Sequence, residues 1–308
     1  GVGCTMGDAF CGILVYADDI VLLAPSANAM RCMLRSCDEY ATNFNIVFNA
    51  SKSKCLYVQA RHRLDGMGNP CPVFKVNGQP VEYVDQWPHL GHVITNKLDD
   101  TVDIMQRRNV MAGQINNVLC YFSKLDSFVK LKLLTSYCSS LYGSVLWDLS
   151  KSCIESVCSA WRRGLRRVFG LPYNAHCALL APMSCSLPTI DELFKRTLLF
   201  AQNCLSSECK LVRTVASHAV NNSNPMQSPF CRNIVLICLR YHVNVDSFTQ
   251  LRSRDVCNSV WSKVDDDIFA TVNLLLELVS VHCGCFNFTR NDTTPHDAQT
   301  MIDWISTM

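Results

Sequence analysis

The chain changes its hydrophobic period near residue 96, and this change constrains the fold more than any other feature. Up to that point, short apolar runs alternate with turn residues. Beyond it, apolar positions recur at helical spacing. Strands grouped ahead of helices, rather than interleaved with them, point to an α+β chain. Ile13-Leu14-Val15-Tyr16 and Ile20-Val21-Leu22-Leu23 read as buried strands. Pro25-Ser26 opens a helix with Ser26 as its cap, and Met30, Met33, Leu34, Cys37, Ala41 and Phe44 fall on one face. Strands are expected at 46–48 and 55–58, around Asn49-Ala50-Ser51. Residues 73–76 and 81–84 flank the turn signal Asn77-Gly78, and Gln79-Pro80 predicts a loop slightly longer than two residues. Leu90-Gly91-His92-Val93-Ile94 reads as a further strand, and 61–72 as a loop.

Three long helices are expected next, over 99–125, 127–147 and 152–169. Gly170-Leu171-Pro172 stops the third. Thr189 with Glu192 three residues on predicts a capping box opening another helix. A polar linker over 221–229 and helices near Ile234, Ile268 and Ala298 follow. Trp147, Trp161 and Trp261 are expected on apolar helix faces.

Composition excludes several classes. With 308 residues and 49% apolar content the chain is globular, of about two domains. Its net charge of +2 argues against a generally basic nucleic-acid binder. No apolar run is long enough for a membrane span. The start lacks the basic and apolar regions of a secretory signal and has no initiator Met, so a chain beginning mid-protein is expected. Cysteine is the outlier, at 19 residues. Cys37, Cys138, Cys158 and Cys238 fall on apolar faces, so reduced core cysteines in an intracellular compartment, cytoplasmic or nuclear, are the expectation. His282-Cys283-Gly284-Cys285 with His296 lacks a second ligand pair at zinc spacing, and no zinc site is assigned. His62, His176, His218 and His242 are isolated.

The chemistry-bearing stretch is Tyr16-Ala17-Asp18-Asp19, set between the two aliphatic runs. Two adjacent carboxylates at a hairpin tip, partly desolvated, repel each other. A divalent cation reverses that balance and gains hard oxygen ligands. A solvated Asp-Asp turn is the alternative, and local chemistry alone leaves both open.

Tyr16-Ala17-Asp18-Asp19 resembles the Tyr/Phe-x-Asp-Asp motif of reverse transcriptases, most closely those of non-LTR (LINE-type) retrotransposons. Asn45-Ile46-Val47-Phe48-Asn49-Ala50-Ser51-Lys52-Ser53-Lys54 is similar to the family's Lys-rich turn before a strand. Pro88-His89-Leu90-Gly91 is similar to its primer-grip strand, with His89 where Tyr is usual. The segment from Trp161 through Arg162, Arg163, Gly164, Leu165, Arg166, Arg167 and Val168 to Pro172 is similar to one found beyond the thumb. The resemblance runs in order from Gly12 to Pro172.

That resemblance implies an RNA-directed DNA polymerase using Mg²⁺, with Mn²⁺ as an alternative. Its partners would be an RNA template, a DNA primer and deoxynucleoside triphosphates. It implies Asp18 and Asp19 as metal ligands and Lys52 or Lys54 beside the triphosphate. It also implies a layout of partial palm over 1–95, helical thumb and basic helix over 96–172, and a helical C-terminal region of unknown role over 173–308. The family's site needs a further Asp on an upstream strand, and Asp8 lies too close to the hairpin to supply it. The expectation is therefore a fragment, inactive or nearly so alone, completed by an N-terminal part of the same polyprotein. The alternative is a catalytically dead, transposon-derived nucleic-acid-binding or structural protein. The exposed edge of a half palm is expected to pair with another chain or aggregate.

Between residues 100 and 170 there are ten Lys/Arg and five acids. On the third helix Val157, Trp161, Leu165 and Val168 form the apolar face, and Arg162, Arg163, Arg166 and Arg167 lie opposite. With Lys124, Lys130, Lys132 and the Leu90-Gly91 strand, they form the expected nucleic-acid contacts. A solvated basic face, or one paired with acids elsewhere, is the alternative.

Overall fold

The computed structural model describes residues 2–58, 72–177, 180–184, 186–221 and 228–241. The described chain is α+β, and it divides into two compact units. Unit 1 is Gly1–Asp100 with Cys204–Pro225; unit 2 is Thr101–Asn203 with Met226–Met308.

Unit 1 is built from two-stranded pieces rather than one sheet. Strands β1 (Thr5–Met6) and β2 (Ala9–Phe10) form a hairpin, and Cys4 bridges outward to Leu23, its N–H donating to that carbonyl at 3.0 Å. Gly3 and Gly12 press together beneath the Phe10 ring; a Cβ on Gly12 would lie 2.6 Å from that ring and 2.8 Å from the Gly3 Cα. Strands β3 (Ile13–Tyr16) and β4 (Asp19–Leu22) pair antiparallel, with Tyr16 opposite Asp19. Helix α1 (Ala27–Phe44) begins as expected: the Ser26 hydroxyl accepts from the Ala29 N–H at 3.2 Å. Its face buries Ala29, Met33 and Ala41 but leaves Phe44 exposed.

Strand β5 (Lys54–Cys55) pairs parallel with β8 (Glu82–Tyr83). Between them, β6 (Lys75–Val76) and β7 (Gln79–Pro80) close around Asn77-Gly78, both at positive φ. The turn is therefore a two-residue one, shorter than expected. Pro80 fits it because it pairs with Lys75, one step beyond the hydrogen-bonded Val76–Gln79 pair, where its nitrogen faces out of the ladder. The single strand expected over 90–94 is instead a hairpin. Strand β9 (Gln86–His89) turns at Leu90-Gly91, at φ 46° and 78°, into β10 (His92–Thr95). Pro88 again occupies the position whose nitrogen the ladder does not use, opposite Val93. Helix α7 (Lys210–Asn221) packs on β1 and β2.

Unit 2 is helical and better filled. Helix α2 (Thr101–Tyr121) crosses α4 (Ile154–Val168), where a Cβ on Gly164 would come within 3.0 Å of the Ile115 methyl. The predicted face of Val157, Trp161, Leu165 and Val168 is buried. Gly170, at φ 65°, ends α4, with the Leu171 N–H donating back to the Arg166 carbonyl at 2.8 Å. The helix expected over 127–147 is not continuous. Helix α3 (Ser127–Leu133) widens into a π turn over Leu134–Cys138, breaks, and resumes as a 3₁₀ turn over Ser144–Leu146. Trp147 is fully buried but extended, not helical.

Short α5 (Leu180–Met183) leads to α6 (Thr189–Leu205). The expected capping box does not form. The Thr189 hydroxyl is buried without a hydrogen-bond partner, and the Asp191 and Glu192 N–H groups donate to the Pro188 carbonyl. Glu192 instead pairs with Arg196 at 2.9 Å, and that guanidinium donates to the Ser139 and Ser140 carbonyls at the break after the π turn. Helix α8 (Pro229–Arg240) is the last described element of unit 2 and matches the helix expected near Ile234. The expected helices near Ile268 and Ala298, the cluster at His282 to His296, and Trp261, His62 and His242 lie outside the described residues, as do most of the 61–72 loop and the 221–229 linker.

Candidate functional site

The acid pair stands at a hairpin apex. Ala17 and Asp18 are the two central turn residues, and Asp19 opens β4 opposite Tyr16. Only the first central residue has positive φ, Ala17 at 53°, the pattern of a II′ turn, in which that position favours Gly. A non-Gly residue held there stores backbone strain.

The expected partial desolvation is absent: Asp18 and Asp19 are both exposed, and so is every residue of β3. Val15 is 64% and Tyr16 67% exposed, with Ile13 and Leu14 above 40%. Alternate strand residues point to opposite faces, so aliphatic side chains are uncovered on both. No third strand joins this ribbon among the described residues.

The donor chemistry suits Mg²⁺, which takes one or two carboxylates and keeps waters. Among the described residues, however, no group of three or more His, Cys, Asp or Glu gathers around a common point. A cation at this apex would meet only Asp18 and Asp19 among the described residues, an incomplete set.

Lys52 lies in a tight turn organised by Asn49. The Asn49 side-chain oxygen accepts from the Lys52 N–H at 3.1 Å and the Ser51 hydroxyl at 2.7 Å, while its carbonyl accepts from the Ser53 N–H. The Lys52 side chain is exposed. Lys54, on β5, is engaged: its ammonium meets Glu82 at 2.6 Å and lies 5.7 Å from the Trp87 ring centre. Leu90 and Gly91 are the exposed tip of the β9–β10 hairpin.

In unit 2 the four arginines share one side of α4, and all have intrachain partners. Arg162 pairs with Glu155, and Arg167 donates to the Asn116 side chain on α2. Arg166 donates twice to the Ala175 carbonyl, at 3.2 and 2.8 Å, fastening the loop after α4. Arg163 makes a long contact of 3.4 Å to the Ser159 carbonyl and is exposed, as is Arg167. Lys124 and Lys132 are exposed and Lys130 partly so, around the α2–α3 turn.

Sequence reasoning missed a buried polar network in unit 2. Asp103 accepts from Trp147 Nε1 at 2.7 Å. The Asn233 amide bridges the Leu149 N–H and the Trp147 carbonyl at 2.9 and 2.7 Å. Asp148 pairs with Arg232 at 2.5 Å, and Asp191 accepts from Arg240 and Tyr241. A Trp-Asp pair between apolar residues was its only local signal.

Among described cysteines no disulfide is present. Cys138, Cys158 and Cys238 are buried, and burial pushes each thiol up to about 11. Burial, aided by Asp38, also raises the partly covered Cys37. No helix among the described residues is long and apolar enough to cross a membrane. Comparison of the chain with protein-family models, with curated proteins and with solved structures gives no match.

Proposed function

We propose that this chain carries the Asp-Asp hairpin of a retrotransposon reverse transcriptase, with its thumb and following basic helix. The observation that supports this reading is the pairing of two features in one ribbon. An acid pair sits at a strained two-residue turn, and β3, the strand that leads into it, is aliphatic and uncovered on both faces, while Val21 and Leu22 of β4 are half-buried. A solvated surface turn requires neither feature. A hairpin that serves as the middle of a larger palm requires apolar strand faces of this kind, and strain at its apex is of the sort stored at functional sites.

On this reading Asp18 and Asp19 hold Mg²⁺, which when bound activates the primer hydroxyl and neutralises the triphosphate. A further carboxylate must come from outside the described residues. Lys52, exposed on the Asn49 turn, is better placed than Lys54 to meet a triphosphate, because Lys54 already neutralises Glu82. Leu90 and Gly91 present a hairpin tip to the primer, and Arg163, Arg167, Lys124 and Lys132 offer charge to phosphates. Arg162 and Arg166 act mainly within the fold, closing α4 and its loop.

The second reading, a nucleic-acid-binding protein without catalysis, is favoured by the incomplete ligand set among the described residues. Electron paramagnetic resonance of added Mn²⁺ separates the two. The polymerase reading expects bound Mn²⁺ that is lost in the Asp18→Asn/Asp19→Asn double variant. Equal Mn²⁺ binding by wild type and double variant contradicts it.

A further inference from the structure

We propose that the turn joining α2 to α3 is a stacking platform for unpaired nucleotides. This deepens the nucleic-acid part of the reading above and does not require catalysis. Within eight residues the chain exposes three aromatic rings: Tyr121 at 81%, Phe122 at 43% and Phe128 at 50%. Three exposed rings this close in sequence form a cluster, and every base offers a face on which such rings can stack.

Lysines are interleaved with these rings. Lys124 lies between them, and Lys130 and Lys132 follow on α3, where Phe128 and Lys132 stand four residues apart on one exposed face. The one acid in this stretch, Asp126, is occupied, because its carboxylate caps α3 by accepting from the Phe128 N–H at 2.7 Å. Three lysines against that one carboxylate leave the patch aromatic and net cationic. Lysine is depleted from protein–protein interfaces, whereas lysine beside stacking rings is what single-stranded nucleic acid uses.

The platform is also held in shape. The Ser127 hydroxyl donates to the Val168 carbonyl at 3.0 Å, tying the start of α3 to the end of α4. The Phe122 and Leu125 N–H groups donate to the Val118 and Phe122 carbonyls at 3.0 and 3.1 Å. A backbone fixed in this way loses little freedom on binding.

The test is fluorescence anisotropy of a fluorescein-labelled 12-nucleotide oligouridylate, without nucleotide triphosphates, beside a matched RNA duplex. The single strand binds more tightly than the duplex. The Tyr121→Leu/Phe128→Leu variant, which keeps apolar area but removes the rings, binds it at least tenfold more weakly. Lys124→Ala with Lys132→Ala flattens the slope of log affinity against log salt by about 1.4, at about 0.7 per lost phosphate contact.

Unchanged affinity in the leucine variant overturns the proposal. So does a dimer, seen by sedimentation velocity, that this variant dissolves, since the patch would then be a self-association surface. Thermal melting checks that the variant folds. If it does not, photo-cross-linking of a 4-thiouridine oligonucleotide to the wild-type chain decides: adducts on Tyr121, Phe122 or Phe128 support the platform, and adducts elsewhere only refute it. Loss of polymerase activity leaves these binding readouts untouched, so the two readings fail separately.

Discussion

Trp147 Nε1 donates a hydrogen bond to Asp103 Oδ2 at 2.7 Å, and both side chains are fully buried. The bond joins α2 to the segment after the 3₁₀ turn, across 44 residues of sequence. Removing the donor leaves a carboxylate with one partner fewer inside the core, which costs about 1–3 kcal/mol beyond lost packing. Trp147→Phe and Asp103→Ala should each destabilise unit 2 by about 2–4 kcal/mol, and Asp103→Asn by less, because the amide oxygen still accepts. Urea midpoints followed by circular dichroism check the order. Equal loss for Asp103→Ala and Asp103→Asn would show that the hydrogen bond is not what matters.

Asp148 gives unit 2 a pH dependence. Burial raises its carboxyl pKa, but hydrogen bonds from Arg232 and Ser150 outweigh burial and hold it below the usual value. A depressed folded pKa means stability that is full above the unfolded value, about 3.9, and lost as pH falls through the folded one. The melting-temperature gap between wild type and Asp148→Asn should be constant from pH 7 to 5 and close below about pH 4. A gap that widens on acidification contradicts this sign.

The hairpin apex stores strain that glycine would release. Ala17 at φ 53° is in the left-handed region, where a Cβ costs roughly 1 kcal/mol. Ala17→Gly should therefore leave unit 1 stability unchanged or raise it by up to about 0.5 kcal/mol, the strain released less glycine's entropy cost. Differential scanning calorimetry reads it, and a clear loss of stability would mean that the turn is not held as described.

Thiol reactivity should sort by burial. Cys120, Cys177 and Cys209 are exposed, whereas Cys138, Cys158, Cys231 and Cys238 are buried with raised pKa values. At pH 8 a thiol with a pKa near 11 is only about one part in a thousand thiolate. Brief maleimide labelling with peptide mapping should mark the first group and spare the second until urea is added. Early labelling of Cys158 would contradict its burial on α4.

What the sequence made legible was local. The face of α4 repeats every three to four residues, so Val157 to Val168 could be read directly. Ser26 and Gly170 act within one turn of their helices. The break after Leu133 was not legible, because its causes are distant: Asp103, Asn233 and Arg196 each hold the 139–149 segment from other helices. Leu90-Gly91 was read as strand because leucine seldom takes positive φ. The Asn77-Gly78 turn is legible, and Pro80 does not lengthen it, because its outward position spares the ladder. For the candidate site, periodicity gave the hairpin and the place of Asp18 and Asp19. It did not give their exposure, which depends on what covers β3 and β4.

Primer extension on an RNA template by the longest protein that this chain's reading frame encodes tests the central claim most directly. With Mg²⁺ and deoxynucleotides, the account predicts incorporation that falls at least a thousandfold in Asp18→Asn, about 4 kcal/mol of transition-state stabilisation. Robust incorporation that survives Asp18→Asn would contradict it.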